Sequence, residues 1–383
     1  MYSLPSVNLN DQRVRFYISI FVSSLGLGMY IYFVPIFAQR FGATFLDLGY
    51  IGTASSVTYA IAPFLVGHLA DRVNRWRLFA SALLINCVTT IGLVFSRSVN
   101  DIVLIRSLGG LGFAFFWPSG EILVLDYTSR EKRVKEMGLY SVSWGTAFLI
   151  GPLIGGIVIQ YFGFFDLFVF SSLLIMVAFA QTVFWMRPMT RNTEATPTRA
   201  SVGFSAVRRL LPWYLMTASY GIIFSVVSSI FPGYANSVGI NLVQIGFIFT
   251  LFGLARVTAF ATSERYLHFG EKKSLFVVSL LISCCWFVIG FYPSFVAFLC
   301  TVALLGGSFA VIFPLTIDLI SRHFPDEQSG AAVGSYESVY GIGAAIGPTL
   351  AGSAAAMLDV RFSFVMASCF AILMMIIAAT GRA

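Results

Sequence analysis

Residues 138–156, GLYSVSWGTAFLIGPLIGG, return in altered form as residues 334–352, GSYESVYGIGAAIGPTLAG, and the spacing between them decides the fold. A shift of 196 sets Gly138-Leu-Tyr140 on Gly334-Ser-Tyr336 and Gly151-Pro152 on Gly347-Pro348. The same shift pairs Gly110 with Gly306 and Pro118 with Pro314. A shift of 197 pairs Tyr17 with Tyr214, Pro35 with Pro232, Gly42 with Gly239 and Gly49 with Gly246. A nearly constant offset across five apolar segments makes the chain two copies of one unit.

Working outward, the composition identifies the solvent. Of 383 residues, 58% are hydrophobic and 11% charged, and the mean hydropathy is +0.85. Soluble domains carry about 25% charged residues, so this chain cannot cover a water-facing surface and lipid must surround most of it. At about 20 apolar residues per crossing, the length allows about twelve helices and no large soluble domain. Cys87, Cys284, Cys285, Cys300 and Cys369 all fall in apolar runs and read as small core residues, not disulfides or metal ligands. His68, His268 and His323 lie near helix ends or in loops without ligand spacing. With no phosphate-binding Gly-rich loop, nucleophile elbow or zinc signature, the chain reads as a non-enzyme without metal or cofactor.

The apolar runs predict helices at 15–38, 46–69, 77–96, 101–125, 136–162 and 164–186, then at 212–235, 242–263, 274–292, 295–320, 330–357 and 362–380. This is an all-α membrane protein of twelve transmembrane helices in two pseudo-symmetric six-helix bundles, 1–186 and 212–383. The segment 187–211, with Pro188 and Pro197, is the linker. The first run is too long for a cleaved signal. With the N-terminus inside, nineteen Lys and Arg fall on the cytoplasmic side and only Arg40, Arg97 and Arg361 on the other. That bias puts both termini and the linker in the cytoplasm and explains the net +7 charge as topology, without nucleic acid. An even number of helices per copy makes the repeat axis run along the membrane normal, with the substrate path between the halves.

After the second run comes Gly67-His-Leu-Ala-Asp71-Arg72-Val-Asn74-Arg75-Trp-Arg77. This resembles the loop G-x-L-A-D-R-x-G-R-[RK] between helices 2 and 3 of the major facilitator superfamily, with Asn74 in place of Gly. Asn tolerates the left-handed backbone that the turn needs. The resemblance implies a cytoplasmic gate of Gly67, Asp71, Arg72, Arg75 and Asp126. In it Asp71 faces the positive N-terminus of helix 11, and Arg75 pairs with Asp126. It also implies that helices 1, 4, 7 and 10 line the cavity and that 3, 6, 9 and 12 face lipid. Helix 5, with Gly138, Ala147, Gly151-Pro152, Gly155 and Gly156, is similar to the motif G-x8-G-x3-G-P-x2-G of drug and metabolite:proton antiporters. Gly341, Gly347-Pro348 and Gly352 repeat it in helix 11, which equally suits close helix packing.

A charged side chain at the membrane centre costs about 3 kcal/mol, so each should face water or a partner. The candidates for cavity or proton-coupling roles are Arg106 and Glu121 in helix 4, Arg256 in helix 8, Asp318 in helix 10 and Glu337 in helix 11. None lies in helices 3, 6, 9 or 12. The structural alternative is ion pairs that lock the bundles, and for Glu337, near the first turn of helix 11, a pair with Arg72. Tyr30, Tyr32, Trp117, Trp144, Tyr220, Tyr336 and Tyr340 are candidate substrate walls.

These features read as a secondary transporter for a small organic solute, working by alternating access as a monomer in the inner membrane of a prokaryote. Proton-coupled efflux leads, with Glu121 first and Asp318 second as proton carriers. The alternatives are an uncoupled facilitator or proton symporter for an anionic metabolite, anchored by Arg106 and Arg256, and, from another class, a non-transporting receptor or regulator.

Overall fold

The computed structural model describes residues 12–70, 75–126, 133–185, 204–261, 269–322 and 329–380. They form twelve long helices. The first half holds α1 (Gln12–Tyr30, continued to Gln39), α2 (Phe45–Ala70), α3 (Arg75–Gly92), α4 (Val99–Asp126), α5 (Arg133–Tyr161) and α6 (Phe164–Ala180). The second holds α7 (Phe204–Ser229, continued by Phe231–Ser237), α8 (Leu242–Ala261), α9 (Glu271–Phe291), α10 (Phe295–Ser321), α11 (Ser329–Met357) and α12 (Val360–Thr380). Eleven are long and apolar enough to cross a membrane. The twelfth, α2, has 26 residues and is about 39 Å long at 1.5 Å per residue, beyond the roughly 30 Å hydrocarbon core.

The duplication is written into the helix starts. Thr44 and Asp47 cap α2 reciprocally: the Thr44 N–H donates to Asp47 Oδ2 (2.8 Å) and the Asp47 N–H to Thr44 Oγ1 (3.3 Å). Asn241 and Gln244 do the same for α8, at 3.1 and 2.8 Å. Ser98 caps α4 and Ser294 caps α10. Each cap satisfies backbone N–H groups that the first helical turn leaves without partners. Gly42 and Gly239, which precede the α2 and α8 caps, hold φ of +81° and +88°, a region costly for residues with a side chain. Pro35 and Pro232 sit where α1 and α7 break and restart.

One expected boundary moves. α7 begins at Phe204, inside the segment read as linker, because its first turns are too polar to register as an apolar run. α11 begins at Ser329, one residue before the expected start, and Glu337 lies two turns into it, deeper than its expected place near the first turn.

Within the first half α1 packs on α5 and α6, α4 on α2 and α3, and α3 on α6. In the second, α7 packs on α11 and α12, α10 on α8 and α9, and α9 on α12. Two seams join the halves, α2 against α11 and α5 against α8. Lipid gives helices no hydrophobic reason to associate, so close backbone approach must supply the contact. A Cβ on Gly49 would lie 2.5 Å from the Pro348 carbonyl oxygen, and one on Gly156 would lie 2.5 Å from that of Leu242. Gly246 abuts Pro152 across the second seam. Gly151 and Gly155 instead admit Gly28 and Met29 of α1, while Gly347 admits Ile222 of α7.

Gly156→Val should therefore overpack the α5–α8 seam, destabilising by about 1–3 kcal/mol. Gly138→Ala, where a Cβ meets nothing within 4 Å, should be neutral. Thermal unfolding in detergent compares the two, and equal midpoints would refute close packing at the seam.

Candidate functional site

Between described residues, every hydrogen bond joining the halves lies toward the end where α1 and α7 finish. Gln39 Nε2 donates to the Gly233 carbonyl (3.2 Å) and Asn236 Nδ2 to Gln39 Oε1 (3.4 Å). Thr53 Oγ1 reaches the Ala345 carbonyl and Thr349 Oγ1, each at 2.7 Å. Tyr32 of α1 stacks on Phe249 of α8 with centroids 3.8 Å apart. This end is closed. Toward the other end the seams loosen: a Cβ on Gly341 would lie 3.4 Å from Ala60, and one on Gly145 would lie 3.9 Å from Val257.

A small cavity of about 80 Å³ persists beneath the closed end, lined from both halves by Ser55, Ser56, Ser225, Ser228, Ser229 and Arg106, among others. Ser225, Ser228 and Ser229 spend their hydroxyl protons on backbone carbonyls one turn back, which leaves their oxygens as acceptors. A guanidinium facing such a cavity avoids the cost of facing lipid.

Toward the open end, Glu121 of α4 and Glu337 of α11 are both exposed. α2 packs against both α4 and α11, which sets these two carboxylates on the helices that flank the space between the halves toward that end, here called the chamber. Neither has a hydrogen bond or ion pair among the described residues. The chamber's aromatic walls come from both halves. Trp117 and Trp144 meet edge-on at 5.3 Å on one side, and Phe224 and Tyr340 lie 6.3 Å apart on the other, with Tyr220, only 2% exposed, packed behind them. The Arg256 guanidinium lies 5.3 Å from the centre of the Phe224 ring and 5.7 Å from that of Phe260. Its Nε is buried without a hydrogen-bond partner, and no described carboxylate pairs with it.

Several expected site residues lie elsewhere. Asp318 does not face the chamber. It bonds to Arg322 one turn on (2.5 Å), and Arg322 Nη1 donates to Glu271 at the start of α9 (3.1 Å). The hydrogen bond to Glu271 pushes the Arg322 pKa above the usual arginine value. An apolar run shows that Asp318 is near a helix end but not which way it turns. Tyr336 is 1% exposed and packs edge-on against Phe313, behind the wall. Tyr30 is 2% exposed with its ring against Phe168. Asp71, Arg72 and the Asp126 side chain lie outside the described residues, so the expected gate and the Arg72–Glu337 pair do too; Gly67 lies in α2 and Arg75 opens α3. The shift of 196 carries Arg75 onto Glu271 and Asp126 onto Arg322, so the bonded Glu271–Arg322 pair is the charge-reversed counterpart of the expected one.

Sequence reasoning missed Glu136. It is 6% exposed, accepts from Arg13 (3.0 Å) and from the Tyr17 hydroxyl (2.5 Å), and ties α5 to α1. No signal in the repeat points to it, since the shift of 196 sets Glu136 on Ala332, although Tyr214, the counterpart of Tyr17, also bonds to α11 by donating to Ser335 at 2.9 Å.

The Major Facilitator Superfamily model matches residues 16–257 and 213–382, and the chain belongs to that family of membrane transporters. Multidrug resistance protein 2 of Bacillus subtilis (strain 168) is 25% identical over 370 residues, 90% of each chain. The quinolone resistance protein NorA of Staphylococcus aureus (strain MRSA252) is 25% identical over 187 residues, about half of each chain. Among solved structures, the nucleoside transporter NupG superposes with a TM-score of 0.84 at 10% identity, over 96% of this chain and 98% of that one. A bacterial homolog of the human lysosomal transporter Spinster superposes with a TM-score of 0.74 at 13% identity, over 97% of each. At these identities the structural likeness concerns the fold alone.

With the five cysteines removed, Glu121→Cys and Glu337→Cys should react with a membrane-impermeant thiol reagent from the open end about tenfold faster than Arg106→Cys, which lies beneath the seal. Equal rates at all three positions would contradict a chamber closed at one end.

Proposed function

We propose that this protein exports a small organic solute in exchange for protons by alternating access, its two six-helix halves, 1–186 and 212–383, rocking about the chamber. The observation that carries the reading is a pair of carboxylates, Glu121 and Glu337, exposed on helices of opposite halves and without an ion pair among the described residues, in a molecule closed at the other end. A carboxylate carried between water and close helix packing can take up a proton in one state and release it in the other. Family membership and the multidrug resistance relatives favour efflux. The Lys and Arg bias favours an inner membrane with both termini in the cytoplasm, and nothing in the mechanism requires more than one chain.

Arg106 and Arg256, neither paired with a described carboxylate, favour a second reading: an uncoupled facilitator or proton symporter for an anionic metabolite. Proteoliposome flux with and without an imposed pH gradient separates the two. Glu121→Gln should abolish gradient-driven flux yet leave substrate counterflow, which needs no net proton movement. If Glu121→Gln, Glu337→Gln and the double variant all keep full gradient-driven flux, coupling through this pair is excluded.

The Asp71, Arg75 and Asp126 cluster is proposed as the latch at the cytoplasmic end. A carboxylate at a helix N-terminus contributes about 0.3–1 kcal/mol, so Asp71→Asn should shift the populations about two- to fivefold toward inward-open states. Spin-label distances across the two cytoplasmic faces measure this, and unchanged distributions would remove the latch.

A further inference from the structure

The two seams are counterparts under the repeat, yet at the closed end they are fastened differently. In the α2–α11 seam a Cβ on Gly52 would lie 2.8 Å from the side chains of both Pro348 and Ser229, and one on Gly49 would lie 2.5 Å from the Pro348 carbonyl oxygen. That approach lays Thr53 of α2 on the backbone of α11. Its hydroxyl oxygen accepts the Thr349 N–H (3.2 Å) and lies 2.7 Å from both the Ala345 carbonyl and the Thr349 hydroxyl. Residues 345 and 349 are each other's partners in a regular α-helix, so a side chain of one half is spliced into a backbone rung of the other. With its proton on the Ala345 carbonyl and two bonds accepted from Thr349, the Thr53 hydroxyl has its full complement. The rung adjoins Pro348, which has no N–H and weakens α11 at that point.

Shifts of 197 and 196 carry Thr53 onto Thr250 of α8, and Ala345 and Thr349 onto Leu149 and Leu153 of α5. There the splice is missing: Leu153 has no hydroxyl, and Thr250 Oγ1 is buried without a hydrogen-bond partner. The Gly52–Ser229 contact is replaced by its counterpart pair, Phe249 stacked on Tyr32. One seam is bonded and the other only stacked. Resting on the alternating access proposed above, we infer that Thr53 is a positioning residue of the gate, whose hydroxyl holds this end closed by bonding α11 beside its proline, and that Thr250 contributes nothing to closure. The fastening is reversible without stranding a polar group in lipid. When the seam parts, the Thr349 N–H returns to the Ala345 carbonyl. Thr53 then bonds to a carbonyl one turn back in α2, as Thr58 already does with Ala54.

The test uses the full chain in nanodiscs, with the native cysteines removed and spin labels at Tyr161→Cys and Met357→Cys, both exposed where α5 and α11 finish at the closed end. Distance distributions give the fraction of molecules open at this end. Thr53→Val keeps the side-chain shape without the hydroxyl and should raise that fraction about three- to tenfold. Thr53→Ser keeps the hydroxyl and should stay near the wild type. Thr349→Val removes one of the bonds to Thr53 and should raise the open fraction by less than Thr53→Val; it decides the matter on the same readout if Thr53→Val does not fold. Thr250→Val removes an unpaired hydroxyl and should leave the open fraction unchanged or lower it. The inference is overturned if neither Thr53→Val nor Thr349→Val raises the open fraction, if Thr53→Ser opens this end as far as Thr53→Val, or if Thr250→Val opens it equally. The two claims fail in different ways. A single closed distance in the wild type and every variant ends alternating access itself, whereas an open fraction present in the wild type and indifferent to Thr53→Val ends the gate assignment alone.

Discussion

An ionised side chain cannot rest against hydrocarbon without a cost of several kcal/mol, and that constraint organises this molecule. Four charges within the spans, Arg106, Glu121, Arg256 and Glu337, have no oppositely charged partner among the described residues. Each must therefore face a polar space, and the two halves of the chain have to enclose one. Helices that carry no such charge are free to face lipid, as the exposed apolar side chains of α6 and α9 do.

The same solvent dictates how the halves hold together. With no gain from hiding apolar surface, the seams rely on backbone contact at Gly49 and Pro348 and at Gly156 and Leu242. A few hydroxyl bonds, such as Thr53 to the Ala345 carbonyl, add direction. The Gly-Pro segments shared by α5 and α11 serve this packing on two sides at once: α5 admits α1 through Gly151 and Gly155, and α8 through Gly156.

Much of this was legible in the sequence, because membrane helices must be long and apolar and a duplication leaves a constant offset. The second apolar run, 46–69, became Phe45–Ala70, and 330–357 became Ser329–Met357. The offset extends to the caps, which the sequence reading did not single out: Thr44 and Asn241 do the same work 197 residues apart. What was not legible depended on rotation about a helix axis or on a partner distant in the chain. Asp318 and Glu337 look alike as carboxylates in apolar runs, but one turns to Arg322 and the other to the chamber. Glu136, the first residue of the expected fifth helix, gave no sign of its role because its partners, Arg13 and Tyr17, lie more than a hundred residues away. Tyr336 and Tyr340 differ by one turn, and only Tyr340 reaches the Tyr220 and Phe224 cluster.

The reciprocal caps at Thr44–Asp47 and Asn241–Gln244 bear on how such a molecule can move. Each lies just past a glycine turn of a few residues, so α1 is spliced to α2, and α7 to α8, with almost no slack. A joint that short cannot serve as a hinge. When the closed end parts, each helix pair has to swing as a stiff lever, and the Gln39–Asn236 contact, made by residues 197 apart that are each other's counterparts, lies where the two levers meet.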